Sequence, residues 1–291
     1  EYKQFFSGKK ITLMGLGLLG RGVGDAKFLA RYCKELIVTD LKTAKELESS
    51  VAKLRKFKNI KFVLGQHRLA DFRDRDLIIK AAGVSLESIY LSEAKKHKIP
   101  VRMSTALFAK FAMESGAKII GVTGTRGKST TTQLIYEILK VKYTRVFLGG
   151  NVLGLSTLAL LPKIRKGDLV VLELDSWQLQ GFGQLKISPN VAVFTNFLPD
   201  HLNYYSGSMA RYFSDKANIF LYQKSGDKLF WGGKVPEMPQ DWKTKLPGDH
   251  SYRNIALAIA VAKLLEVPTR TIKKVVESFT GVSGRLELIK T

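Results

Sequence analysis

An apolar run, Ala117 to Val122 (AKIIGV), empties into a glycine- and threonine-rich turn, Thr123 to Gly127. It resumes as a helix-forming stretch from Lys128 to Lys140. A buried strand that breaks on glycine and restarts as a helix is the opening of a β–loop–α unit, and such a unit needs a parallel sheet around it. The loop is built to hold phosphate. Backbone N–H groups and the positive end of the following helix converge on one spot, where Lys128 adds a charge and Ser129 or Thr130 a hydroxyl within reach of Mg²⁺. The usual spacing of such loops places glycine where Val122 stands; here Gly121 and Gly124 flank the position. ATP is therefore the expected ligand of Gly124, Thr125, Arg126, Gly127, Lys128, Ser129 and Thr130.

A second glycine turn lies upstream. Lys9 to Met14 reads as a strand, Gly15, Gly17 and Gly20 form a G-x-G-x-x-G, Gly22 to Tyr32 has helical spacing, and Glu35 to Asp40 is a strand ending in an acid. The glycines admit a diphosphate to the helix N-terminus, and Asp40 stands where an acid can meet a ribose or a base. By itself this pattern favours NAD, cannot separate one nucleotide diphosphate from another, and is also compatible with a tight turn needed only for packing.

Further strands read at Ile60–Leu64, Asp76–Ile79, Pro100–Met103, Arg145–Leu148, Asp168–Leu174 and Asn190–Asn196, with helices at Ser85–His97 and His250–Leu265. The alternation implies an α/β protein: a Rossmann-like domain over residues 1–105, a central P-loop mononucleotide-binding domain with a mostly parallel sheet over 106–283, and the start of a hinge over 284–291.

Composition excludes more than it selects. Apolar residues at 45% and charged residues at 25% suit a globular chain with a real core. The longest apolar runs, such as Leu153 to Leu161, fall short of the roughly 20 residues of a bilayer span, and the first residues carry no apolar signal region. A cytoplasmic, monomeric protein without a membrane partner is expected. The lone Cys33 has no disulfide partner and reads as a small buried hydrophobe. An excess of 47 Lys and Arg over 25 Asp and Glu gives +22, which suits nucleic acid or phosphorylated small molecules. The basic residues are scattered over helices with no basic–aromatic stripe, so nucleic acid is not the expected partner.

The variant loop also carries a resemblance. T-G-T-x-G-K-S-T after an apolar strand is similar to the ATP loop of the Mur ligases, which build the peptide of peptidoglycan precursors. Their other elements follow in order: Gly150-Asn151-Val152; Glu173 to Leu179 (ELDSWQL, resembling E-L-S-S-F-Q-L); Asn196 to Asn203 (NFLPDHLN, resembling N-x-x-x-D-H-L-D); Lys216 in RYFSDKANIF; His250 to Asn254; and Gly284 to Glu287. The ELDSWQL segment and the glycine-rich first domain place the chain nearest the D-glutamate-adding branch.

The resemblance implies an ATP-dependent ligase that phosphorylates the carboxylate of UDP-N-acetylmuramoyl-L-alanine and lets the amine of D-glutamate displace phosphate. It implies Lys128, Glu173, His201 and Lys216 as catalytic residues. Two Mg²⁺ sites would be formed by Ser129, Thr130, Glu173, His201 and a carbamylated Lys216. Asn254 and Arg285 would join the ATP site. Gly15, Gly17, Leu18, Leu19, Asp40, Gly83, Asn151 and Gln178 would bind the UDP substrate, so the first glycine motif is reassigned from NAD. Other readings are another Mur-type ligase, MurC-like, or a non-catalytic UDP-sugar-binding module.

There are departures. Ala81-Ala82-Gly83 stands for the family's Ser-Pro-Gly facing the substrate phosphates, losing a hydroxyl that Lys80 is expected to offset electrostatically. Arg126 stands for asparagine, Ser251 for the first asparagine of H-N-x-x-N, and Gly284 for histidine. Mur ligases carry a third domain that brings the amino acid and closes over ATP; with Thr291 as its last residue, the chain alone is expected to bind ATP and the UDP substrate but turn over poorly.

Overall fold

The computed structural model of the protein describes residues 1–282. The described residues form two compact units, one of residues 1–115 and 152–164, the other of 116–151 and 165–282.

The first unit runs α1 (Tyr2–Phe6), β1 (Lys10–Met14), α2 (Arg21–Tyr32), β2 (Glu35–Asp40), α3 (Glu48–Ala52), β3 (Ile60–Leu64), β4 (Leu77–Lys80), α4 (Ile89–Lys96), β5 (Val101–Arg102) and α5 (Ser104–Glu114). Its strands form one parallel sheet in the order β3-β2-β1-β4-β5. The inner strands are buried almost throughout, which is why they read as unbroken apolar runs. Strand order reverses between β1 and β4, and the crevice that such a reversal opens beyond the carboxyl ends is where α/β sheets bind ligands. Phe6 packs edge-on against Phe28 at 5.5 Å and Phe5 meets Phe111 at 5.2 Å, tying α1 to α2 and α5. The excursion 152–164 belongs here too. Ser156 Oγ donates to the buried Asp25 of α2 at 2.6 Å, and a methyl group on Gly24 would lie 2.3 Å from Ser156 Cβ.

The second unit runs β6 (Lys118–Thr123), α6 (Lys128–Lys142), β7 (Val146–Gly150), β8 (Leu169–Glu173), α7 (Ser176–Leu185), β9 (Val191–Phe194), α8 (Met209–Ala217), β10 (Lys228–Trp231), α9 (Asp249–Leu264) and α10 (Thr269–Ser278). The parallel sheet has the order β10-β9-β6-β8-β7, so β6 lies centrally, with β8 and β9 on either side. Leu134 and Ile138 of α6, Ile255 and Val261 of α9, and Ile272 and Val276 of α10 share one core with β6 and β8.

The α/β architecture with parallel sheets expected from the sequence is present in both units. The helix expected over Ser85–His97 begins at Ile89, because Ser88 is extended and Ser85 Oγ accepts the Glu87 amide in a local turn. Among the described residues no helix is long and apolar enough to cross a membrane.

Candidate active site

Strand β6 delivers the phosphate loop at the centre of the second sheet, and two glycines give the loop its shape. Gly124 has φ +139°, and a side chain there would meet Thr195 Oγ1 at 1.9 Å; Gly127, at φ +81°, would meet Asn254 Oδ1 at 2.2 Å. Both positions need glycine for conformation and for space. The end of β9 then fastens the loop. The Thr125 amide donates to the Asn196 carbonyl (2.9 Å), the Arg126 amide to Asn196 Oδ1 (2.9 Å), and Thr195 Oγ1 to the Arg126 carbonyl (2.5 Å). No side chain caps α6 at its N-terminus, so its first amides and the helix dipole face the loop.

Two lysines meet at one carbonyl. Lys128 Nζ donates to the carbonyls of Gly124 (3.1 Å) and Thr125 (3.0 Å), and Lys216 Nζ, from α8, donates to the same Gly124 carbonyl at 2.8 Å. Lys216 is 2% exposed. Burial, then the neighbouring charge of Lys128, lowers its pKa from 10.5 to about 7, against the opposing pull of Asp175 and Asp200. A large share of its amine is therefore unprotonated near neutral pH. The Tyr212 ring lies 4.9 Å from Lys216 Nζ, and its hydroxyl lies 3.4 Å from Thr125 Oγ1. His201 packs on Trp177 (4.8 Å between centroids) and edge-on to Tyr212 (6.0 Å). It sits at φ +52°, the left-handed region, with its amide bound to Asp200 Oδ1.

Glu173 ends β8 in register with Val122 of β6 and Gly150 of β7. Its carboxylate is buried and accepts from Asn151 Nδ2 at 3.3 Å. Gly150 is required beside it, because a side chain would lie 2.0 Å from the Glu173 carbonyl.

A cavity of about 810 Å³ opens beside the loop. Arg126, Gly127, Ser129 and Thr130 line it from the loop and α6, and His250, Arg253 and Asn254 from α9, with Leu246 and Pro247 on the approach. Phosphate-facing groups at one side and an apolar, amide-bearing wall at the other suit a nucleotide.

The remaining sequence-derived candidates take the following places. Asn151 touches Glu173, and Gln178 lies in the capping box of α7, where its side chain accepts the Asp175 amide. Arg285 lies outside the described residues. In the first unit Gly15, Gly17 and Gly20 have φ of +100°, +62° and +82°. Asp40 Oδ2 accepts the amides of Leu16 (2.8 Å) and Gly17 (2.9 Å), and Oδ1 that of Lys42 (2.9 Å), so both oxygens brace the glycine loop. Leu18 and Leu19 are exposed at its tip, and Gly83 faces open space. Sequence reasoning passed over Thr195, Arg253, Leu246 and Pro247; only the Pro-Gly turn before α9 hinted at the last two.

Hard oxygen donors and a phosphate loop without a preformed carboxylate cage suit Mg²⁺, which is held through few carboxylates together with a nucleotide's own phosphates. Among the described residues no three His, Cys, Asp or Glu side chains cluster as metal ligands.

A parallel α/β fold with a phosphate loop, a buried lysine and an acid at the sheet's carboxyl edge defines a nucleotide-dependent group-transfer enzyme. The family model described as the Mur ligase middle domain matches residues 122–232. The UDP-N-acetylmuramoylalanine–D-glutamate ligase of Borreliella afzelii is 41% identical over 96% of this chain and 68% of its own length. The ligase of the same description from Roseiflexus sp. is 32% identical over 98% and 70%. Among solved structures, the UDP-N-acetylmuramate–alanine ligase MurC of Thermotoga maritima superposes with a TM-score of 0.59 at 20% identity, covering 96% of this chain and 70% of its own. The MurF ligase of that organism in complex with ADP superposes with a TM-score of 0.52 at 18% identity, covering 90% and 67%. The chain belongs to the Mur ligase family, ATP-dependent amino-acid ligases of peptidoglycan synthesis.

Proposed function

We propose that the protein, like the relatives named UDP-N-acetylmuramoylalanine–D-glutamate ligase, joins D-glutamate to UDP-N-acetylmuramoyl-L-alanine, that it uses ATP to do so, and that it acts as a cytoplasmic monomer on small-molecule substrates. The observation that carries the reading at residue level is the convergence of Lys128 and Lys216 on the Gly124 carbonyl, beside a cavity of nucleotide size.

Two anions must meet in the first step, the γ-phosphate and the alanyl carboxylate. The carboxylate oxygen attacks γ-phosphorus in line, the bond to the β-bridging oxygen breaks, and ADP leaves. The D-glutamate amine then attacks the acyl carbon, and phosphate departs from the tetrahedral intermediate as the amide forms. Lys128 and the amides of the loop offset the charge that builds up on the transferring group. Ser129, Thr130 and Glu173 would hold one Mg²⁺, and His201 with a carbamylated Lys216 a second; bound there, the ions would supply charge neutralisation for the two anions. Lys216 suits the modification because carbamate formation needs an unprotonated amine, and its burial provides one near neutral pH. Asn254 and His250 would contact the adenosine, while Gly15, Gly17, Leu18, Leu19, Asp40 and Gly83 would form the UDP side in the first unit.

Trapping tests this directly. Incubation with MgATP and UDP-N-acetylmuramoyl-L-alanine, followed by borohydride, should convert the acyl phosphate to the corresponding alcohol, detectable by mass. ADP formation without any trapped alcohol would contradict the acyl-phosphate route.

A further inference from the structure

The family's hydroxyl at the substrate phosphates is missing from Ala81, yet the residue before it is unusual in its own right. Lys80 ends β4 at the point where strand order reverses, paired in register with Met14 of β1, and it is 1% exposed. A lysine is almost never this deeply buried without partners that justify its charge. Its ammonium lies beneath the loop that follows it, 2.8 Å from the Val84 carbonyl and 3.4 and 3.5 Å from those of Ala82 and Ala81.

That arrangement fixes where the loop's donors point. In a planar trans peptide the C=O and the next N–H are antiparallel. Carbonyls of Ala81, Ala82 and Val84 turned in toward Lys80 therefore turn the amides of Ala82, Gly83 and Ser85 outward. Among the described residues none of these three amides meets a protein acceptor. The loop faces the glycine turn, since a methyl group on Gly15 would lie 2.8 Å from Ala81 Cβ. Beyond that turn stands the N-terminus of α2, which no side chain caps.

We propose that Lys80 is a positioning residue. By drawing the 81–84 carbonyls inward it presents the amides of Ala82, Gly83 and Ser85 as a backbone cradle for the diphosphate of the nucleotide substrate, and this replaces the hydroxyl that Ala81 lacks. Lys80 acts through the loop, with no direct contact to the ligand. The inference rests on the first unit binding a UDP-linked substrate, as put forward above.

The probes are UDP and uridine, which differ only in the diphosphate, titrated by calorimetry into wild type, Lys80→Met and Lys80→Gln, with MgATP binding to the other unit as the control for folding. Lys80→Met should weaken UDP about tenfold or more and leave uridine unchanged, because charge-assisted and pre-aimed donors act on the diphosphate alone. Lys80→Gln, which can still donate to one or two carbonyls, should fall between. Independently of any variant, the ¹⁵N–¹H resonances of Ala82, Gly83 and Ser85 in the wild type should move on adding UDP and stay in place with uridine. Equal losses for both ligands, no loss for either, or silent amides would overturn the role of Lys80. A wild type that binds UDP no better than uridine would remove the substrate reading of the unit itself, and the inference with it.

Discussion

Lys216 is the residue whose chemistry is most altered by where it sits. In the unfolded chain its amine titrates near 10.5, in the folded protein near 7, with burial the main cause. Between those values the unfolded state binds a proton that the folded state does not. Lys216 therefore lowers stability most below pH 7, and the penalty is relieved as pH rises toward 10.5, by at most about 1.4 kcal/mol per pH unit. In CO₂-free buffer, the stability difference between Lys216→Met and wild type, from denaturant titrations, should be large below pH 7 and shrink steadily across that window; a difference independent of pH would contradict the shift. Gly124 makes a sharper prediction. With φ +139° and Thr195 Oγ1 in the space of any side chain, Gly124→Ala should displace the loop and weaken ATP binding by about a hundredfold or more, while far-ultraviolet dichroism stays native. Unchanged ATP affinity would show that the loop does not hold the nucleotide.

At the scale of elements, α7 links folding to chemistry. Asp175 caps it by accepting the Gln178 amide at 2.7 Å, and its charge also supports protonation of Lys216. These effects separate by substitution. Asp175→Asn keeps a capping oxygen but removes the charge, so it should cost little stability and lower the Lys216 pKa further, as read by NMR of the labelled amine. Asp175→Ala should do the same and also cost about 1 kcal/mol; an unmoved pKa in both would refute the coupling. The elements themselves were unevenly legible from sequence. Strands β1, β2, β6, β8 and β9 announced themselves because burial on both faces leaves an unbroken apolar run. Helix α5 did not, because seven of its eleven residues are buried and no polar face marks a helical period. Strand β10, four residues at the sheet's edge and half exposed, carries almost no signal. Within the site, the loop residues and the acid ending β8 followed from local pattern. That Asp40 braces the glycine loop, and that Lys216 lies buried, depends on distant partners: the amides of Leu16 and Gly17 and the Gly124 carbonyl. The Val84 carbonyl that holds Lys80 is only four residues on, but nothing in that stretch marks the lysine as buried. No short window of sequence holds both members of the Asp40 and Lys216 pairs.

For the whole molecule, the net charge of +22 finds a natural use in substrates that are all anions: a nucleoside triphosphate, a diphosphate-linked sugar and an acidic amino acid. Electrostatic steering of such ligands fades with salt, so raising ionic strength from about 0.05 to 0.5 M should lift the apparent KM for the nucleotide substrates more than it lowers kcat. A drop confined to kcat would argue against steering. The central claim is the identity of the bond made, and ligation by the protein at its full natural length tests it most directly. Supplied with MgATP, UDP-N-acetylmuramoyl-L-alanine and a panel of amino acids, it should give a product heavier by one glutamate residue with D-glutamate alone, with one ADP formed per amide and none of it when Lys128 is replaced by alanine. Product with a different amino acid and none with D-glutamate would contradict the assignment.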